Sequence, residues 1–412
     1  MIYAHISKGY LGIKNNLATL NSKFYAELFS APHNIESNIL FPQRIPKKDF
    51  FIELKTLETN EFSHQFDSFC ENLVAQAFGQ KNNKGVRLIN YINLLLRYGL
   101  FDKINEFNAT LDIEEEIDLE LSYLKQNALI ETCLNTESVI TLKDELKKYA
   151  DIVSYNTNFS NKLRILIINR LIVCTCRYPN DFEDKSIILK YSDILINIIE
   201  SLETSFELMF LTAYAYRGIA MVEEYSKDFR SQCLNKMENI LRELKASSIL
   251  EEIVLKEGFY TSLQTLSKWN LAYGKENKAV ENIEEMISID PVDSTAYSEL
   301  GLFYLKKKLY KNAELYFKKA SELGSPAVGM NTYFYAKCLE AQGHDEKAIL
   351  ELYKTIFIDN EAISPCLDIL NFYKKTNDIS GIKILVKHIT SNNVLREQLD
   401  VYEYSDIINA LV

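Results

Sequence analysis

Apolar positions recur with a helical period along most of the chain. In residues 294–325, Tyr297, Leu300, Gly301 and Tyr304 fall at i, i+3, i+4 and i+7, one stripe of an amphipathic helix. The polar run Lys306, Lys307 and Lys308 makes a corner, and a second stripe carries Ala313, Phe317 and Ala320. Gly324, Ser325 and Pro326 stop that second helix. Gly301 and Ala313 are small where the two helices of such a hairpin cross, and Tyr297, Tyr304 and Phe317 supply bulk around the crossing. Upstream, the same period predicts helices over 62–78, 86–98, 101–111, 121–133, 139–153, 163–176, 187–202, 206–222, 229–244 and 249–273.

The first sixty residues have another texture. They hold Pro32, Pro42 and Pro46, three of the seven prolines. Leu17, Leu20, Phe24 and Leu28 predict a helix over 16–29. Residues 39–57 alternate loosely through Phe50, Ile52, Leu54 and Leu57, and Pro42 and Pro46 exclude a regular helix there. An irregular N-terminal cap or small lobe is expected, with room for a short strand pair.

The hairpin at 294–325 is repeated. Thirty-four residues upstream, Leu263, Leu266, Ala279, Ile283 and Pro291 take matching places, with Ser267 and Asn270 where the small and aromatic residues stand. Downstream, Tyr335, Ala336, Leu339, Ala348 and Leu352 match with a slip of one residue, and a further unit holds Ile369, Tyr373, Gly381, Ile382 and Val386. The pattern of a bulky residue, Leu-Gly, Tyr, then Ala, Phe, Ala and Pro over about 34 residues resembles the tetratricopeptide repeat (TPR), here across residues 260–389. The resemblance implies an all-α, right-handed helical-hairpin solenoid with a small irregular N-terminal region. The divisions expected are 1–60 as cap or small lobe, 61–259 as degenerate hairpins, 260–390 as TPR repeats and 391–412 as a C-terminal capping helix.

In TPR proteins the first helices line a concave side that commonly holds an extended peptide. That resemblance assigns the lining to Gln264, Thr265 and Lys268 in the first unit, Ser298, Glu299 and Leu302 in the second, and Tyr333, Phe334 and Lys337 in the third. A clamp for a chaperone's C-terminal carboxylate is excluded, because Gln264, Glu299, Met330 and Phe334 occupy places that need Lys, Arg or Asn. The expectation is a non-catalytic scaffold or adaptor that binds a protein or peptide segment, without a cofactor. A peptide-responsive regulatory switch is one alternative. The other is an enzyme or enzyme subunit with a site near His5, His33 and His64.

Composition narrows this picture. The chain has 412 residues, 47% hydrophobic and 25% charged, with 13 Gly and 7 Pro, which suits helices. A formal charge of −11 and no long basic stripe give an expectation of no nucleic-acid partner. The seven cysteines are irregularly spaced inside apolar patterns, and Cys174-x-Cys176 has neither a second pair nor a nearby His, so reduced core thiols are expected and no metal. The N-terminus lacks a basic, then apolar, leader, and the most apolar segment, 163–176, is interrupted by Arg164, Asn169 and Arg170. A cytoplasmic protein without a membrane partner is expected. No phosphate loop, metalloprotease helix or nucleophile elbow is found.

Overall fold

The computed structural model describes residues 17–20, 51–55, 101–106, scattered positions of 71–96 and, with short gaps, 115–398. Within these, strand β1 (Leu17–Leu20) pairs antiparallel with β2 (Phe51–Lys55). Residues 17–20 are therefore strand and not the start of a helix. Their ladder partner lies some thirty residues away, which the periodicity of one segment does not reveal. The rest is helix: α1 (Phe101–Glu106), α2 (Glu115–Thr132), α3 (Thr136–Tyr155), α4 (Asn161–Arg177), α5 (Lys185–Glu200), α6 (Phe206–Ile219), α7 (Lys227–Glu243), α8 (Ile249–Ala272), α9 (Glu276–Ile289), α10 (Ser294–Lys306), α11 (Tyr310–Leu323), α12 (Val328–Ala341), α13 (Asp345–Ile358), α14 (Ile363–Thr376), α15 (Ile379–Ser391) and α16 (Asn393–Glu397). The C-terminal helix expected beyond 398 lies outside the described residues.

Two compact units divide the described chain between Val292 and Asp293. In the first, α4 packs on α3, α5 and α6, while α6 packs on α7 and α8, and α8 on α9. First helices of successive hairpins, α4, α6 and α8, are thus neighbours. In the second unit α10 pairs with α11, α12 with α13 and α14 with α15. Both units are helical-hairpin arrays of the TPR-like kind.

One device closes every hairpin from α8 onward. A residue one or two past the first helix takes a left-handed conformation: Gly274 (φ 71°), Lys308 (φ 59°), Gly343 (φ 77°) and Asn377 (φ 54°). The next amide donates five residues back, Lys275 to Asn270, Leu309 to Tyr304, His344 to Leu339 and Asp378 to Tyr373, at 2.8, 3.0, 2.9 and 2.9 Å. This is the Schellman pattern, which satisfies carbonyls left open at a helix end.

The repeat positions are core. Ala279, Ala313 and Ala348 are all buried, as are Leu263, Leu266, Ser267, Leu300, Ala336, Leu339, Ile369 and Val386. Gly301 lets α10 settle on Phe317 of α11: a Cβ on it would stand 2.8 Å from that ring. Around Phe317 lie Ala313, Cys338, Tyr304, Leu305, Phe334 and Tyr335. Among the described residues no helix is long and apolar enough to cross a membrane.

Candidate functional site

The first helices α2, α4, α6 and α8 are tied side by side by polar side chains. Tyr123 on α2 donates its hydroxyl to the Leu166 carbonyl on α4 at 3.3 Å. Lys162 on α4 pairs with Glu207 on α6 at 3.1 Å. From α6 to α8, the hydroxyls of Tyr214 and Thr261 lie 3.3 Å apart, and Arg217 Nε donates to Thr265 Oγ1 at 2.9 Å. These contacts follow helical spacing on both sides, Tyr214 and Arg217 at i and i+3 against Thr261 and Thr265 at i and i+4.

The face has two ends of opposite character. At the α6–α8 end, the Arg217 guanidinium sits 5.6 Å from the centre of the Tyr214 ring, within cation–π range. The bond to Thr265 uses only Nε, so the fork of terminal nitrogens lies outside it. Lys268 is exposed one turn further along α8, and Gln264 is half-buried beside it. Where α2 and α4 meet the start of α6, burial raises the carboxyls of Glu120 and Glu207; Lys162 opposes that rise in both. Glu116 accepts from the Ser160 amide at 3.2 Å and adds to the rise at Glu120. Between the ends, α4 and α6 approach closely at Gly218, where a Cβ would meet Asn169 Oδ1 at 2.0 Å.

Further Arg and Lys groups rest on aromatic rings behind this face. Arg230 on α7 lies 5.2 Å from the Trp269 ring of α8 and donates to the Ala220 carbonyl at 2.8 Å. Lys227 Nζ is 3.8 Å from the Tyr273 ring, which itself packs 4.4 Å from Trp269. Arg242 lies 5.8 Å from Phe259. These pairs join α7 to α8 and fix the attitude of the helix that carries Thr265 and Lys268.

The nine residues expected to line one groove divide between the units, with Gln264, Thr265 and Lys268 in the first and the rest in the second. In the second, Ser298 is buried and donates to Asn331 Oδ1. Tyr333 donates to Asp368 Oδ2 at 2.9 Å, and Lys337 pairs with Asp368 at 3.2 Å and with Glu340. Phe334 stacks on Phe317 at 5.2 Å. Glu299 is half-buried and Leu302 exposed. Ser298, Tyr333, Phe334 and Lys337 are thus engaged in joining helices. Sequence reasoning missed Tyr214 and Arg217, which stand 47 and 48 residues before their partners and so outside the 34-residue frame.

Among the described residues no cluster of His, Cys, Asp and Glu is arranged to hold a metal ion. His5, His33 and His64 lie outside the described residues. Burial pushes the thiols of Cys176 and Cys338 up to about 12 and those of Cys233 and Cys366 to about 11, the behaviour of unreactive core cysteines.

No protein-family model matches the sequence, and no curated protein matches it. Solved structures that resemble the chain include the human IFIT1 dimer with m7Gppp-AAAA, 13% identical over 95% of this chain and 96% of that one, at a TM-score of 0.37. The human IFIT1 dimer with PPP-AAAA is 15% identical over 85% and 86%, at a TM-score of 0.38. A monomeric IFIT1 mutant with Gppp-AAAA is 13% identical over the whole of both chains, at 0.34. The ligands these structures carry are capped or triphosphate-bearing oligoadenylates, not peptides. The expectations of a peptide or protein segment in the groove and of no nucleic acid are corrected on that finding, together with the switch and the enzyme offered as alternatives. Within this chain, Ser298, Tyr333, Phe334 and Lys337 make their polar and ring contacts with neighbouring helices.

Proposed function

We propose that the α6–α8 end of the first-helix face binds a single-stranded nucleic acid, in a TPR-family protein of the cytoplasm. One observation carries the reading: Arg217 is held by Thr265 through Nε and by the Tyr214 ring, which leaves its terminal nitrogens outside that bond, and half-buried Gln264 and exposed Lys268 flank Thr265 on α8. A guanidinium fork fits phosphate oxygens in pairs, and an ammonium adds a second point of positive charge. Tyr214 is half-buried with its ring 4.9 Å from Phe210, and it adds an aromatic edge of the kind that helps hold unpaired strands without sequence preference. Gln264, Thr265 and Lys268 keep a role here as site residues, now toward phosphate and base. The buried, unreactive thiols suit a reducing compartment.

The test is fluorescence anisotropy with a labelled oligoadenylate, carrying a 5′ triphosphate or a 5′ hydroxyl, at low salt. Binding is expected. Arg217→Gln keeps a donor for Thr265 but loses the charge, and it should weaken binding by about ten-fold or more, the worth of one charge-assisted contact of about 1.5–3 kcal/mol. Unchanged circular dichroism establishes that the variant is folded. Absence of binding by the native protein, or binding by both Arg217→Gln and Lys268→Gln that equals the native protein's, overturns the reading.

A further inference from the structure

The second helices of the second unit set exposed aliphatic side chains among lysines. Leu315 on α11, Leu350 on α13 and Ile384 on α15 are 66%, 58% and 67% exposed. Each stands two residues after a buried residue of its helix, Ala313, Ala348 and Ile382, and so lies on the side away from the core. Helical spacing puts lysines around all three. On α11, Lys311 and Lys318 lie one turn before and one turn after Leu315, with Lys319 beside them. On α13, Lys347 and Lys354 flank Leu350 in the same way, and Phe357, 92% exposed, extends the apolar stripe by two turns. On α15, Lys383 and Lys387 flank Ile384. Every one of these lysines is exposed. Acids are few on the same sides: Glu322 and Glu346 are exposed there, and Asp345 stands at the hairpin corner. Glu314 and Glu351 are half-buried and engaged, by Gln342 at 2.7 Å and by Lys354 at 2.6 Å. The last helix of the first unit, α9, lacks the pattern, for Glu281 holds the matching position with Glu284 and Glu285 a turn further on.

We propose that these helix faces dock on a membrane surface rich in anionic lipid. The lysines meet headgroup phosphates and carboxylates, and Leu315, Leu350, Phe357 and Ile384 sink to the acyl boundary. Charge complementarity selects the occupant. In a chain at −11, lysines that outnumber the acids on one set of faces call for an anionic partner of many charges. The apolar side chains then choose among such partners. A nucleic acid would meet the lysines with phosphate and leave the aliphatic side chains in water. A lipid interface takes both, since binding there grows with buried apolar area and with attraction to anionic headgroups. Its boundary is fluid, so it receives side chains that project singly from successive helices, with no matching groove. Surface docking of this kind needs no spanning helix, and it departs from the sequence-based expectation of no membrane partner.

Co-sedimentation of the full chain with vesicles tests the proposal, without nucleic acid. The vesicles are phosphatidylcholine alone and phosphatidylcholine mixed with phosphatidylserine. At physiological salt the protein is expected to sediment with the mixed vesicles and to stay in solution beside the neutral ones. Lys383→Gln with Lys387→Gln is expected to weaken binding to the mixed vesicles by about twenty-five-fold, about five-fold for each lysine near an anionic surface. Leu350→Ser with Phe357→Ser is expected to abolish sedimentation at that salt, with native circular dichroism. A native protein that ignores the mixed vesicles, or sediments equally with both kinds, overturns the proposal. Native binding by either double variant overturns it as well. Should Leu350→Ser with Phe357→Ser lose its helical signal, Leu315→Ser with Ile384→Ser takes its place under the same criteria.

Discussion

Gly301 and Phe317 are read most directly as a pair. The missing Cβ lets the α10 backbone approach the ring of Phe317, which is wholly buried. Gly301→Ala would place a methyl group 2.8 Å from the ring atoms, so the ring or a helix has to shift. Overpacking of this kind costs about 1–3 kcal/mol. Urea denaturation followed by circular dichroism is expected to show a lower midpoint for Gly301→Ala. Adding Phe317→Leu to Gly301→Ala should cost less than the two separate losses combined, because the residues share one contact. Full additivity would sink this account. Gly381 repeats the arrangement against Tyr373, with a Cβ at 2.7 Å. Small residues at both places were visible in the sequence as repeat positions, and at Gly301 three rings, Tyr297, Tyr304 and Phe317, were expected around the crossing without one being singled out.

Hairpin corners are the element at which sequence and structure agree least obviously and most completely. Gly274, Lys308, Gly343 and Asn377 hold one backbone conformation at one repeat position. From the sequence, Lys306 to Lys308 is only a polar corner, because a lysine gives no sign that it is left-handed. Lys308 bears the strain of a Cβ in that region, about 1–2 kcal/mol. Lys308→Gly is therefore expected to raise the urea midpoint, and Gly343→Ala to lower it, each by about 1 kcal/mol. The helical period, the repeat frame and the buried Ala positions were legible because each rests on neighbours three to seven residues apart. The β1–β2 pair and the Tyr214–Thr261 and Arg217–Thr265 bonds were not, since their partners are some thirty to fifty residues away and outside the frame. The helices α2, α4 and α6 add a pH-dependent element. Burial holds the Glu120 and Glu207 carboxyls above their ordinary 4.5. The folded chain then keeps protons that the unfolded chain releases, so stability falls as pH rises above 4.5 through the raised values. Glu120→Gln is expected to increase the thermal midpoint near pH 7, with the gain shrinking toward pH 4.5. A gain that is independent of pH would reject burial of the charge as the cause.

Charge is the property that belongs to the whole molecule, and it bears on how a chain at −11 would hold a polyanion. At physiological salt the Debye length is about 8 Å, so Arg217 and Lys268 act on a phosphate beside them while most of the surface acidity is screened. At lower salt the net charge reaches further and opposes a long strand more than a short one. Counterion release runs the other way, weakening binding as salt rises with a slope of about −0.7 for each phosphate neutralised on a single strand. Few contacts and a repelling body together imply a shallow slope and a preference for short ligands. Measured from low to physiological salt, the logarithm of affinity for a four-residue oligonucleotide is expected to fall gently. Lys268→Gln should flatten that fall by about 0.7, the share of one phosphate contact. Lys374→Gln, an exposed change on α14 in the second unit, should leave the slope alone. If both substitutions act equally, the anion is held by diffuse attraction and not by the face that Arg217 and Lys268 share.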